Sequence, residues 1–385
     1  MIDRAALYFA TFDDLSAAQA LVAHRPLAFR AVAAAVRAGA RTVYLPLNLR
    51  DTPLGAAVAA SPRARAAVVW LKEGGVPDPG PLLLVPAVVV IPAEVLRTLV
   101  AGPSGAAVAD PEGTDTPAFV ADADLAQALG TELAGGRPVG DALARASRRR
   151  GLAPSVDARC VLARDAEGRA RAEWQLNQAL GSAIDTRLDV LLHRRFSRYV
   201  TRAAIALGIA PNTITVASLV LGLVAVWCFW RATPASALAG LVIYLVAVIL
   251  DHSDGEVARL TLTESRVGEW LDTVADTTVH TLTVVAMGVT TQAVTGTGLG
   301  LGLVGAAGIV ASAFVAKWWP PRGSAGMGGT VEDMGSRDGF YALLVLFIAL
   351  RAGAPTALPW LMILVALGSN VYWVVRAAVT LLRRA

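Results

Sequence analysis

Asp251-His252-Ser253-Asp254-Gly255-Glu256-Val257-Ala258-Arg259, continued by Gly268-Glu269-Trp270-Leu271-Asp272-Thr273-Val274-Ala275-Asp276, is the stretch whose reading decides the fold. Its four aspartates sit at the ends of, or inside, strongly apolar segments. A carboxylate in a membrane helix costs roughly 2.5–3.5 kcal/mol on insertion scales, so each one calls for a function. Residues three or four apart share a helix face. Asp251 and Asp254 stand at that spacing at the end of one apolar run, and Gly268, Asp272 and Asp276 form one stripe of the next. Two adjacent helices would therefore bring four carboxylates together, with Gly268 leaving room beside them.

The surroundings read as a membrane bundle. Of the 385 residues, 55% are hydrophobic, and the charged ones are concentrated before Pro211. Asn212–Trp230 and Pro234–Leu250 are uncharged, and the first is long enough for about 30 Å of hydrocarbon. Val267 to about Thr290 is a third span, carrying Asp272 and Asp276. No charged residue occurs from Thr277 through Ala316, too long a run for one helix. Thr295-Gly296-Thr297-Gly298-Leu299-Gly300 supplies a turn before a fourth span, Leu301–Trp318. Gly339–Leu350 and Thr356–Val375 complete six.

Before the bundle, Ile184, Leu188, Leu191, Leu192, Phe196, Tyr199 and Val200 recur at helical spacing, with Arg187, Arg194, Arg195, Arg198 and Arg202 around them. This pattern predicts an amphipathic helix in the headgroup plane of an anionic membrane. The basic residues set the expected orientation: Arg259, Arg266, Lys317, Arg322, Arg337, Arg383 and Arg384 on the cytoplasmic side, Arg231 and Arg351 opposite. The aspartates and both termini are then cytoplasmic, in a multi-pass protein of the cell (inner) membrane. The first 25 residues show no basic segment leading into an apolar run, so no cleaved leader is expected. Cys160 and Cys228 are the only cysteines, which excludes a disulfide framework and a thiolate metal site. The net charge of +4 is small, and no nucleic-acid partner is expected.

Residues 1–165 alternate short apolar runs with Ala-rich helical patterns. Expected strands are Ala5–Ala10, Thr42–Leu47, Ala66–Leu71 and Leu82–Ile91, with helices near Leu15–Ala38 and Pro92–Ala101. Gly74–Pro81 and Gly102–Gly113 read as loops. Such alternation argues for Rossmann-type α/β layers around a mainly parallel sheet. Residues 166–210 form a connector and the interfacial helix, and 211–385 the bundle. Arg25-Pro26-Leu27 and Gly39-Ala40-Arg41-Thr42-Val43 resemble the nucleotidyltransferases of the sugar-nucleotide type. Those proteins carry a Gly-rich, basic loop after the first strand, where glycines let backbone N–H groups approach phosphates. Here the segment reads Thr11-Phe12-Asp13-Asp14-Leu15-Ser16-Ala17, without glycine. A degenerate domain kept for stability, assembly or regulation is expected.

Four carboxylates in a low-dielectric setting call for cations. Ligation by oxygen alone favours Mg²⁺, Mn²⁺ or Ca²⁺ over Zn²⁺. Two such ions can polarise a phosphoryl group and stabilise a leaving phosphate, while a carboxylate outside the metal set takes a proton from an attacking hydroxyl. The rival reading is a transporter that uses the aspartates for ion coupling.

The spacing Asp251-x-x-Asp254-Gly255-x-x-Ala258-Arg259, eight residues, then Gly268-x-x-x-Asp272-x-x-x-Asp276 resembles the signature of the CDP-alcohol phosphotransferases at every defined position. The resemblance covers about residues 184–385 and includes Pro211-Asn212-x-x-Thr215. It implies a six-helix membrane enzyme that displaces CMP from a CDP-linked donor with an acceptor alcohol. By position it implies Asp251, Asp254 and Asp272 as ligands of two Mg²⁺ or Mn²⁺ ions, with Asp276 as general base and further ligand. Gly255, Ala258, Arg259 and Gly268 would bind CDP, with Asn212 and Thr215 nearby. His252, Ser253 and Glu256 take no role, and His280 is expected to be a satisfied interior residue. The implied partners are a CDP-diacylglycerol or other CDP-alcohol donor, membrane lipids and a second copy of the chain in a homodimer. The domain order resembles the bifunctional inositol-1-phosphate cytidylyltransferase/CDP-inositol phosphotransferases. Lys317, Arg322 and Arg337 are the candidates for binding a phosphorylated acceptor, beside the plainer reading as loop charges. Gly323–Gly335 would be a mobile loop over the site.

Overall fold

The chain is described from a computed structural model, over residues 2–149, 154–180, 194–318 and 337–382. It divides into two units: Met1–Gly181 together with Ala258–Thr263, and Ser182–Val257 together with Glu264–Ala385.

The first unit is built on a seven-stranded sheet. Its strands are β1 (Arg4–Tyr8), β2 (Thr42–Pro46), β3 (Val68–Leu71), β4 (Leu82–Pro86), β5 (Ala107–Asp110), β6 (Gly113–Ala121) and β7 (Ser155–Val156), in the order β7-β5-β6-β4-β1-β2-β3. β1 runs parallel to β2 and β4, placing Ala5 beside Val43 and Leu83. β6 is antiparallel to β4 and β5, so the sheet is mixed. Alternation along the strands feeds two cores. Ala5, Leu7, Val43, Leu45, Leu83 and Val85 face one, with α1 (Leu27–Ala38), and Ala6, Tyr8, Tyr44, Leu82 and Leu84 face the other. Gly39 ends α1 at φ 112°, a conformation open to glycine at little steric cost.

Two expectations change. The helix expected over Leu15–Ala38 is interrupted: Asp13–Ala17 is a short helix, and a two-stranded hairpin of Leu21–Val22 with Arg25–Pro26 precedes α1. Ala23 and His24 make that turn at φ 48° and 59°. The loop expected over Gly102–Gly113 contains β5, whose four residues are all buried. α2 (Ala166–Gln178), capped by the Asp165 carboxylate accepting from Gly168 N, belongs to the first unit.

The glycine-free segment after β1 is closed on itself. The Asp14 carboxylate, fully buried, accepts from the backbone N–H groups of Ala10 and Thr11 at 2.8 and 3.1 Å, and from Arg164 Nε at 2.6 Å. Arg164 also pairs with Asp115 at 3.2 Å. These loop amides, of the kind that elsewhere hold a phosphate, are occupied by the chain's own carboxylate.

Ala258–Thr263 is woven into the same unit. Arg30, buried on α1, donates to Val22 O, Ala23 O and Leu260 O, the last at 2.5 Å. Burial, reinforced by Arg25 and Arg37, pulls its guanidinium down to about 9. Ser61 Oγ donates to Leu262 O at 2.6 Å, and Arg37 to Arg259 O. Leu262 is fully buried in the first core at φ 54°.

The second unit is helical: α3 (Arg194–Ala206), α4 (Pro211–Trp230), α5 (Pro234–Thr261), α6 (Arg266–Thr295), α7 (Leu299–Trp318), α8 (Arg337–Gly353) and α9 (Leu358–Leu382). The terminal turn of α5 is counted with the first unit. Among the described residues, four apolar stretches are long enough to cross a membrane: α4, α5, α7 and Pro355–Val379, which includes most of α9. They present Val216, Val220, Leu223, Val242, Leu303 and Leu364 outward, as lipid-facing helices do. The chain is a multi-pass membrane protein.

Small residues bring the helices close, as expected where no hydrophobic force acts between helices. A Cβ on Gly222 would lie 2.5 Å from Val279 Cγ2, and one on Gly288 would lie 2.8 Å from Gly302 Cα. Thr290 Oγ1 donates to Phe229 O at 2.7 Å, tying α6 to α4. Thr273, Thr277, Thr283, Thr291 and Thr295 each bond the carbonyl four residues back, which satisfies their hydroxyls inside α6.

Replacing Asp14 with Ala removes the acceptor for two loop amides and Arg164. The expected loss is about 1–3 kcal/mol in the first unit, read as earlier protease susceptibility on heating. An unchanged profile would show that the loop holds without this seat.

Candidate active site

The aspartates lie where three helices meet. α5 carries Asp251 and Asp254 near its C-terminal end, both buried. α6 begins at Arg266, capped by the Ser265 hydroxyl, which accepts from Gly268 N at 3.0 Å. That start puts Asp272 two turns into α6 and Asp276 one turn further. One carboxylate oxygen each from Asp251, Asp254 and Asp272 lies within 4.8 Å of the others. Oxygen ligands sit about 2.0–2.6 Å from Mg²⁺ or Ca²⁺, so ligands of one ion lie at most about 4–5 Å apart. The three oxygens fit that limit. The donor set is oxygen only, which suits Mg²⁺ or Mn²⁺.

Asp276 is outside this trio but lines the same cleft as Asp251. The cleft is open to solvent and is further lined by Ser218, Leu219, Gly222, Tyr244, Ala247, Val248, Ala275 and Val279. It is mostly apolar, with the carboxylates, one hydroxyl and one phenol as its polar groups. Tyr244 Oη and His280 Nε2 are bonded at 2.8 Å, and the imidazole packs edge-on against Phe340 at 4.4 Å. His280 is half-buried and has a hydrogen-bond partner.

α4 supplies the second layer. Pro211 stands at its first turn, where a missing N–H has no cost, and the next turn carries Thr215. The Thr215 hydroxyl donates to Asp254 Oδ2 and also lies 3.2 Å from Pro211 O. Thr215 therefore orients Asp254. Asn212 Oδ1 faces Gly268, and a Cβ there would sit 3.1 Å from it. Gly255 is half-buried beside Asp254. Ala258 and Arg259 belong to the first unit, where Arg259 donates to Leu180 O at 3.4 Å.

Of the acceptor candidates, Lys317 is paired with Glu269 and lies 5.7 Å from the Trp270 ring centroid. Arg322, the Gly323–Gly335 segment, the side chain of Arg337 and the interfacial pattern from Ile184 to Leu192 are outside the described residues.

Glu256, given no role above, is almost fully buried and accepts from Ser197 and Thr201 of α3. Its partners are 59 and 55 residues away, beyond any local pattern. The available signal was the cost of a fifth carboxylate in this apolar setting.

A Thr215→Val variant keeps the shape and removes the hydroxyl from Asp254. Partners of metal ligands are typically worth 10–100-fold in metal affinity. Mn²⁺ titration should show weakening of that order, and an unchanged affinity would remove Thr215 from the support of the carboxylates.

Comparison with known proteins follows the same lines. Residues 208–372 match the family model described as CDP-alcohol phosphatidyltransferase. An 80-residue stretch is 40% identical to the CDP-diacylglycerol–serine O-phosphatidyltransferase of Mycobacterium leprae, covering 21% of this chain and 26% of that protein. The match thus spans about a quarter of the relative's length. Among solved structures, the phosphatidylinositol phosphate synthase of Mycobacterium tuberculosis with CDP-DAG bound is 18% identical. It matches over 48% of this chain and 94% of that one, with a TM-score of 0.40. The same synthase with manganese and citrate matches at 0.39, with 18% identity over 48% and 88%. The stretch that this family model matches, residues 208–372, holds the whole aspartate signature and the helix that carries Thr215.

Proposed function

We propose that the protein is a metal-dependent CDP-alcohol phosphotransferase of phospholipid synthesis, working in the cell membrane. The observation that carries this reading is the convergence of Asp251, Asp254 and Asp272, from two helices, within the distance that one cation spans. The family match over residues 208–372 supplies the reaction class.

In this reading Asp251, Asp254 and Asp272 hold two divalent ions, Mg²⁺ or Mn²⁺, with Asp276, which lines the same cleft as Asp251, as a further ligand. Such ions, when bound, polarise the donor's phosphoryl group and neutralise the departing phosphate. Gly255 and Gly268 leave space for the CDP moiety, and Asn212 faces it beside Gly268. Ala258 and Arg259 carry over as CDP-binding positions from the family pattern alone. Asp276 accepts the proton of the acceptor hydroxyl as its oxygen bonds to phosphorus and the bond from phosphorus to the CMP oxygen breaks. CMP leaves and a phosphodiester remains.

A CDP-diacylglycerol donor suits the lipid-facing helices, and the Mycobacterium leprae relative is named for that donor. The acceptor is an alcohol, with an inositol phosphate as one candidate from the domain order. We take the six helices from α4 to α9 as six spans, with the site and both termini cytoplasmic, in a homodimer. The first unit is a nucleotidyltransferase-like scaffold without catalysis, and the Asp14 seat supports this by occupying the loop amides.

Purified protein with CDP-diacylglycerol, Mg²⁺ and a panel including serine, inositol phosphate and glycerol phosphate should release CMP with one of them. Release with no donor–acceptor pair would favour ion coupling by the same aspartates. Asp276→Asn should lower turnover by at least about 10²-fold, the scale of a lost general base, while CDP binding persists. Retained turnover would remove its role. CTP with any polyol phosphate should yield no pyrophosphate, and its release would restore catalysis to the first unit.

A further inference from the structure

The Glu256 carboxylate lies one turn beyond Asp251 and two residues after Asp254, in the part of α5 that also carries the metal-site aspartates. At about 100° per residue it points roughly 200° away from Asp254, to the other side of the helix. There, among the described residues, two hydroxyls hold it. Ser197 Oγ donates to Oε1 at 2.8 Å and Thr201 Oγ1 donates to Oε2 at 2.7 Å. Ser197 and Thr201 stand four apart on the inward face of α3 and are 0% and 2% exposed. Ser253 Oγ adds a longer bond to Ser197 O at 3.3 Å. The outward face of α3 carries exposed Phe196 and Tyr199.

A buried carboxylate is expensive, and hydroxyl donors offset only part of its desolvation. Apolar side chains would pack α3 on α5 at lower cost, but they would leave the helices free to roll. Two directional bonds to one carboxylate do not. A 20° roll at a side-chain radius of about 5–6 Å moves an atom by about 2 Å. That displacement is large against the 4.8 Å limit that groups Asp251, Asp254 and Asp272.

We propose that Glu256 is a positioning residue, which sets the rotation of α5 through Ser197 and Thr201 and so holds Asp251 and Asp254 toward Asp272. The proposal rests on the reading of those aspartates as a metal site.

Mn²⁺ affinity measured without substrates provides the test, in full-length protein held in nanodiscs. Glu256→Ala, and separately Ser197→Ala with Thr201→Val, should each weaken Mn²⁺ binding at least about 10-fold, the scale of lost support around metal ligands. Thr201→Ser keeps the donor and should match the wild type. Combining Glu256→Ala with the α3 pair should cost little more than either alone, because all three act through one latch. If Glu256→Ala does not fold, the α3 pair decides. Unchanged Mn²⁺ affinity in folded protein overturns the proposal, as does an additive combined loss or a Thr201→Ser defect equal to that of the α3 pair. Because no substrate enters the measurement, absence of CMP release with every donor would sink the transferase reading without touching this result.

Discussion

Carboxylates at the end of an apolar helix are the constraint that the membrane unit answers. Each raises the free energy of the folded state unless something charged or hydrogen-bonding meets it. The fold supplies such groups by converging elements. α5 and α6 share Asp251, Asp254 and Asp272, α4 lends the Thr215 hydroxyl, and α3 lends Ser197 and Thr201 to Glu256. Close backbone approach at Gly222 and at the Gly288–Gly302 crossing allows this. In a bilayer, where apolar side chains gain little by leaving lipid for one another, such polar and close-packed contacts define helix register.

The first unit follows the opposite logic. Its sheet is stabilised by apolar layers on both faces. In the loop after β1, Asp14 is turned inward onto the amides of Ala10 and Thr11, a buried tie closed by Arg164.

Much of the site was readable because its chemistry conflicts with its setting. Aspartates at three- and four-residue spacing inside apolar runs stand out whatever the fold, and the structure brings three of them together. Pro211-Asn212-x-x-Thr215 was readable as a pattern, but its use was not. Thr215 meets Asp254, a pairing that depends on how α4 packs. Glu256 stayed hidden for the same reason, since its donors are on a helix far away in sequence. In the first unit, apolar runs marked the strands through β4. Strand β6 was missed because Gly113-Thr114-Asp115-Thr116-Pro117 opens it with turn-like residues. The hairpin before α1 was missed because the left-handed turn falls on Ala23 and His24, where no glycine announces it.

The hexapeptide Ala258–Thr263 bears on the order in which the chain matures. It begins with Ala258 and Arg259, the last two positions of the signature's first half, and runs into the gap before Gly268, yet it is counted with the first unit. Arg30 is buried with Leu260 O among its acceptors, and Leu262 fills the first core. Synthesis delivers residues 1–181 first, and domains commonly fold as they emerge. Here that rule is suspended. Until α4 and α5 have been made, the early unit lacks one acceptor for a buried guanidinium and one core side chain. Its last step of folding therefore waits on the insertion of the first two membrane helices, which makes completion of the first unit a late event of biogenesis.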